Sequence, residues 1–210
     1  MWRVSLLLVL LLPAACTWVP SASDPENIAL IVALEGGPTV LREGITFDVE
    51  AYVALKQDDI VLASAADRIT LRMQDGTMIT LAGKGELVLH HYGEAETEAE
   101  AEAGVLMRLS MGQGDVRITP ARSLRRKSGG IELITPMARV IIEAGELLVS
   151  VDDDLRVQLL SKGGITLRNN HGEARLQGPR QTSTTLIGQA PQKPVTLDPA
   201  DTENTVQHLR

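Results

Sequence analysis

Histidines, clustered carboxylates and a cysteine are the residues that could do chemistry in this 210-residue chain, and their spacing argues against it. His90 and His91 are adjacent, and on a strand neighbouring side chains point to opposite faces. They therefore cannot readily grip one metal, and a rim or turn pair is the simpler reading. Asp152, Asp153 and Asp154 could attract a cation such as Ca²⁺, yet the spaced acids and glycine of an EF-hand loop are missing. Three crowded carboxylates read as a solvated turn. His171 belongs to a turn and His208 to the tail. No G-x-S-x-G, P-loop, C-x-x-C or H-E-x-x-H occurs. The expectation is a chain with no catalytic residue, no metal and no cofactor.

Cys16 is the only cysteine, which excludes a disulfide within the chain. Its surroundings suggest another use. Residues 1–23 read as an export signal: Arg3 is the positive start, Val4 to Leu12 the apolar stretch, and small residues follow. That stretch is too short for a membrane-spanning helix, which takes about 20 residues. Two cleavage readings stand. Leu12-Pro13-Ala14-Ala15-Cys16 resembles the bacterial lipobox, in which the cysteine is lipidated, although Pro13 holds the place usually filled by Leu. Ser21-Ala22-Ser23 is a small-x-small site for ordinary signal peptidase, and mature protein would then start at Asp24. A lipidated Cys16 would attach the protein to a membrane without spanning it. Thr17 lacks the aspartate that usually retains such proteins at the inner membrane, so a periplasmic protein anchored to the outer membrane is expected.

The side chains that remain must be positioned by β-strands. Hydrophobic residues make up 44% of the chain but aromatics only 2%, so the core must be Val, Ile, Leu, Ala and Met. A net charge of −7 argues against nucleic-acid backbone binding as the main task. From 131 to 178 apolar and polar residues alternate between short turn-forming segments, as half-buried strands do. A three-residue loop at Asp152-Asp153-Asp154 pairs Val151 with Leu155, Val149 with Val157 and Leu147 with Leu159, so that inward residues meet inward residues. The same count at Ser161-Lys162-Gly163 pairs Leu159 with Ile165 and Val157 with Leu167, with Gly163 left-handed in third position. Asn169 to Gly172 reads as a four-residue turn placing Arg168 across from Glu173.

Upstream, residues 28–56 give a strand, a Gly-Gly-Pro turn and a second strand. Alternation then runs through Ile45, Phe47 and Val49, and shifts phase between Ala51 and Tyr52, where a bulge or corner is expected. Asp75-Gly76 suggests a two-residue hairpin loop, but that register sets Leu71 against Thr80. A three-residue loop of Gln74-Asp75-Gly76, with Gly76 left-handed, pairs Leu71 with Ile79 and Ile69 with Leu81. The acidic insertion 93–104 stacks glutamates four apart without lysine, which favours a solvated loop or frayed helix over a docking strip for a basic partner. Arg122, Arg125, Arg126 and Lys127 form the only dense basic cluster. It is a solvated loop or a partner-binding surface for anionic lipid or an acidic loop. Residues 182–210 are polar and Pro-rich, and read as a disordered tail.

Together these segments resemble the FecR-like domain, known from the periplasmic part of the iron-citrate signal transducer and from stand-alone exported proteins. The resemblance covers about 28–178. It rests on the strand–Gly–strand unit at 30–44 and on Asp58-Asp59, where the family has Gly-Asp. Asp75-Gly76-Thr77, Leu109 to Val116 with Gly112 and Gly114, and Thr135-Pro136-x-Ala138 add to it. Gly145 stands in the family's Arg-Gly-Thr turn, here reduced to its Gly, and Gly163-Gly164 and Gly172 fit the closing repeats. It implies an all-β domain that binds partners rather than performing chemistry. The signal transducers carry a cytoplasmic anti-sigma segment and a membrane helix before this domain; neither is found here, so direct control of a sigma factor by this chain alone is not expected.

The expected architecture is all-β, many short strands in two facing sheets, either a flattened β-solenoid or a β-sandwich. The resemblance favours the former and the loop counts the latter. The expected function is a non-enzymatic envelope module binding another protein in signalling or assembly, through sheet edges or charged loops. A peptidoglycan or glycan binder is the alternative, weakened because residues 28–178 hold only Phe47, Tyr52 and Tyr92 as aromatics for stacking on sugar rings.

Overall fold

The structure is a computed structural model, and it describes residues 26–93, 104–122 and 130–202. Each strand is short because turn residues interrupt the alternation every few positions. The chain shuttles between two sheets. β1 (Asn27–Glu35) lies in the first sheet, β2 (Thr39–Arg42) and β3 (Ile45–Asp48) form a hairpin in the second, and β4 (Ala54–Lys56) returns to the first. β5 (Ile60–Ala63) crosses back to the second sheet. The hairpin β6 (Arg68–Met73)–β7 (Met78–Ala82) follows in the first, and β8 (Gly85–Tyr92)–β9 (Val105–Met111) in the second. β10 (Gly114–Thr119) is a lone strand in the first. Hairpins then alternate: β11 (Gly130–Ile134)–β12 (Arg139–Ala144), β13 (Leu147–Val151)–β14 (Asp154–Leu159), β15 (Gly164–Asn169)–β16 (Gly172–Leu176) and β17 (Gln181–Leu186)–β18 (Val195–Thr196).

Two facing nine-stranded sheets result, in the orders β18-β17-β14-β13-β10-β7-β6-β1-β4 and β16-β15-β12-β11-β9-β8-β5-β2-β3, and neither closes into a barrel. Neighbours are antiparallel except β9 and β11, which run parallel. The lone β10 accounts for that exception. It carries the chain across the molecule once without a return strand, so later crossings between sheets fall on the opposite long side.

Alternation does what the sequence implies. Ile69, Leu71, Ile79 and Leu81 from the first sheet meet Leu87, Leu89, Met107 and Leu109 from the second in one fully buried aliphatic core. Burying each such side chain contributes about 1.5–3 kcal/mol, which makes the register hard to slip. The β13–β14 pairs Leu147–Leu159, Val149–Val157 and Val151–Leu155 are as expected. So are Leu71–Ile79 and Ile69–Leu81 in β6–β7, and Arg168–Glu173 in β15–β16. Gly76 is left-handed at φ 90°. Tyr52 turns the expected corner at φ 71°.

Several expectations are corrected. β14 does not pair with β15: Val157 lies beside Ser183 of β17, and Ile165 beside Ile142 of β12 and Leu176 of β16. The chain changes sheets at 160–163, and alternation cannot reveal this because inward residues stay inward on either route. Gly163 is not left-handed. A Cβ there would lie 2.1 Å from the Ala144 carbonyl oxygen, so glycine serves a close backbone crossing instead. Ile45 is 70% exposed because β3 is an edge strand.

The chain also does not leave the fold at Thr182. β17 pairs with β14 and buries Thr182, Ser183 and Thr185. Its inward residues are hydroxylic rather than aliphatic, so hydropathy misses it, although threonine suits a pleated strand. Beyond it the backbone NH of Gln192 donates to Thr184 and its carbonyl accepts from Ser183 Oγ. Pro191 is buried there. A helical turn at 199–202 starts on Pro199, a residue suited to a first helical position.

Sheet crossings on the first long side are tied by Asp67, whose buried carboxylate accepts the backbone NH of Ser64 (2.6 Å) and of Gly37 (2.9 Å). These donors, that of Ser64 first, hold its pKa below the ordinary 3.8. A depressed carboxylate stabilises the fold above its unfolded pKa, and the contribution is lost as pH falls through the folded value. Asp67→Asn is therefore expected to lower Tm by a few degrees at pH 7. The difference from the parent should close below pH 3.8, as thermal melts across that range would read.

Candidate functional site

The outer face of the second sheet carries an open concave surface. In β12, Val140 and Ile142 point into the core, which turns Arg139 and Ile141 outward. In β15, Ile165 and Leu167 are core and Arg168 is outward; in β11, Ile131 and Leu133 are core and Glu132 and Ile134 are outward. Pairing aligns Ile134 with Arg139 and Arg139 with Arg168. Glu132 aligns with Ile141 in the neighbouring row. These residues, the turn 135–138, Asn170, His171 and Gly188 line an open groove of about 870 Å³.

Local chemistry fixes its walls. Thr135 closes the β11–β12 turn, its Oγ1 donating to the Ala138 carbonyl (2.7 Å) and accepting the Ala138 NH (3.1 Å). That explains a Thr-Pro-x-Ala step. Asn169 joins the other end: its Nδ2 donates to the carbonyls of Met137 (3.0 Å) and Gln189 (2.7 Å), while its Oδ1 accepts the NH groups of His171 and Gly172. Gly188 and Gln189, which the composition places in a loose tail, thus help complete the groove.

Its charge is unbalanced. Glu132 is buried and shared, accepting from Arg108 Nε at 2.8 Å and from Arg139 Nη1 at 3.2 Å. Arg168 stands directly opposite Arg139 but makes no ion pair with a described residue. Glu173, across from it on the other side, is exposed and not within ion-pair distance. Cross-strand like charges repel, so the second guanidinium is left facing solvent in the groove. A partly exposed apolar row continues away from it along the same sheet, Leu41 beside Ile60 and Ile60 beside Val88.

The residues singled out in the sequence lie elsewhere. Asp75 and Gly76 form their turn on the opposite long side, where Asp75 accepts the Thr77 NH and hydroxyl, both at 2.8 Å, and Thr77 Oγ1 accepts the Ala121 NH. That explains Asp-Gly-Thr. Gly145 (φ 97°) and Gly163 face one another at a sheet crossing. Arg122 is exposed. Cys16, Arg125, Arg126, Lys127 and residues 94–103 of the acidic insertion lie outside the described residues. His90 Nε2 bonds Ser110 Oγ at 2.8 Å on β9, and the neighbouring His91 is buried. Among the described residues no three His, Cys, Asp or Glu side chains gather as metal ligands would, and no helix is long and apolar enough to cross a membrane.

No family model and no curated protein matches the sequence. Two crystal structures of a "putative anti-sigma factor" from Parabacteroides distasonis are similar in fold, with TM-scores of 0.54 and 0.55 at 14% and 13% identity. Each match covers 70% of this chain and 64% of the other, so the chain spans less than two thirds of those proteins. The likeness is one of fold.

Proposed function

We propose that this chain is an exported, non-enzymatic envelope module that binds another protein in signalling or assembly, as the resemblance to the FecR-like domain implies. The groove on the outer face of the second sheet carries the reading: it is concave, lined by a mixture of polar groups and the apolar side chains of Ile134, Met137 and Ile141, and holds a guanidinium, that of Arg168, with no ion-pair partner among the described residues. Fold likeness to proteins described as anti-sigma factors supports a signalling role. Two turns, at Thr77 and Thr135, are built from side-chain-to-backbone bonds that brace a scaffold. Arg122, Arg125, Arg126 and Lys127 are a second contact surface in this proposal, and lipidated Cys16 attaches the module to the outer membrane.

Cross-linking of the full chain in intact cells, set beside retention of the purified protein on isolated cell wall, tests the reading. One envelope protein recovered in near-stoichiometric amount, with no wall retention, is expected. Retention on the wall without a protein partner would favour glycan binding. The mass of the mature N-terminus should be that of acylated Cys16; a start at Asp24 would remove the anchor.

A further inference from the structure

We infer that the groove bounded by β11, β12 and β15 reads a carboxylate on an extended acidic–apolar peptide segment of the partner. This rests on the docking proposal and specifies the chemistry of what is bound.

The observation behind it is the Arg139–Arg168 pair. Two arginines directly opposite on antiparallel strands are unfavourable in isolation, and their retention in a groove is relieved by an anion placed between them. Arg139 donates one hydrogen bond, from Nη1 at 3.2 Å, to buried Glu132, which Arg108 also holds, so this guanidinium is tethered at one end before a ligand arrives. Arg168 supplies the second, uncommitted fork. Guanidinium groups present paired N–H donors that match a carboxylate, and pre-oriented donors lose little entropy on binding.

The surroundings choose between anions. Free phosphate would need only the charged end. This groove extends past it along the partly exposed side chains of Ile134, Met137 and Ile141, with Asn170 and His171 at the rim. Its volume of about 870 Å³ is far larger than a single small anion requires. One row of outward residues runs Ile134, Arg139, Arg168 across β11, β12 and β15, with Ile141 in the next row, so an extended peptide laid across them meets apolar positions beside two adjacent cationic ones. A segment carrying both acidic and aliphatic side chains satisfies both.

The test is titration of the full chain with a short capped peptide of alternating Asp and Leu, with its Asn-for-Asp counterpart, and with inorganic phosphate as competitor. Saturable binding of the Asp peptide is expected. It should weaken about ten-fold on replacing Asp by Asn, and about ten-fold again in Arg168→Gln. Because Arg168 holds no partner among the described residues, that variant should keep the parent Tm, and Arg168→Lys should recover part of the affinity. Amide shifts on adding the Asp peptide should centre on 134–141 and 168–171. No binding, equal binding of the Asn peptide, indifference to Arg168→Gln, or displacement by phosphate at matched concentration would each overturn the inference. A partner cross-linked equally well by Arg168→Gln would leave the docking proposal standing and remove only this one.

Discussion

Gly163→Ala is expected to destabilise the domain by at least about 4 kcal/mol or to prevent folding, placing it among the severest single changes a core can receive. Its new Cβ would lie 2.1 Å from the Ala144 carbonyl oxygen and 2.6 Å from the Gly145 Cα. These are backbone atoms, so no side-chain rotation relieves the overlap. Gly145 cannot retreat easily, because its own position at φ 97° is set by the crossing and an added Cβ there would meet Leu159 Cδ1 at 2.8 Å. The two glycines are the point at which the chain passes itself between sheets. An analogous pair, Gly85 and Gly114, stands on the opposite long side, where a Cβ on Gly85 would lie 2.5 Å from the Gln113 carbonyl oxygen. Thermal melts should show a fall of about 10 °C or more, or no cooperative transition. Gly37→Ala is the control: its methyl meets nothing within 4 Å, and Tm should scarcely move. A Gly163→Ala protein as stable as Gly37→Ala would refute the crossing geometry.

Asp59→Ala is expected to cost about 3 kcal/mol, the lower end of the range for breaking a buried ion pair, since Arg42 keeps some contact with solvent. Asp59 itself is wholly buried between β4 and β5. It accepts Arg42 Nε at 2.7 Å, Arg42 Nη2 at 2.6 Å and the Lys56 NH at 2.7 Å. The hydrogen bonds that Arg42 donates to Asp59, ahead of the opposing effect of burial, raise the pKa of Arg42 above its ordinary value. Removing the carboxylate leaves that guanidinium only the Ala54 carbonyl (3.1 Å) and the Phe47 ring, 5.5 Å from its centre, and leaves the Lys56 NH without its acceptor. Asp59→Asn keeps the shape and one acceptor and should lose about half as much. Urea unfolding of the three proteins measures both. A loss below about 1 kcal/mol for Asp59→Ala would mean that this corner does not organise the first strands.

The neighbouring Asp58 shows what sequence could and could not convey. It adopts φ 63°, a conformation glycine reaches more easily, at the place where the FecR-like pattern has glycine. The position was legible from the motif; its backbone reason was not. Hairpin registers were legible for β6–β7, β13–β14 and β15–β16, where the partner strand came next in the chain across a short loop and like faces had to meet. Leu147 with Leu159 and Ile69 with Leu81 are such cases.

Crossings were not legible. Leu159 and Ile165, on either side of the crossing, are both buried whether the chain folds back or changes sheet, and hydropathy is blind to the difference. That same blindness hid the groove. Arg139 and Arg168 become neighbours only because β12 pairs with β15 across the intervening β13–β14 hairpin, which lies in the other sheet. A reading that joined β15 to β14 could not bring them together. The available signal was hairpins alternating between sheets, which sets β12 beside β15. β17 was missed for a different reason, since threonine and serine fill its inward positions.

Site-specific photo-cross-linking in intact cells tests the docking scaffold most directly. A photoreactive residue placed at Met137 or Ile141 in the groove should give one discrete covalent adduct with a single protein. The same residue at Arg156 or Thr184, on the outer face of the other sheet, should give none. Equal labelling from both faces, or no adduct from the groove while the chain is folded and exported, would contradict it.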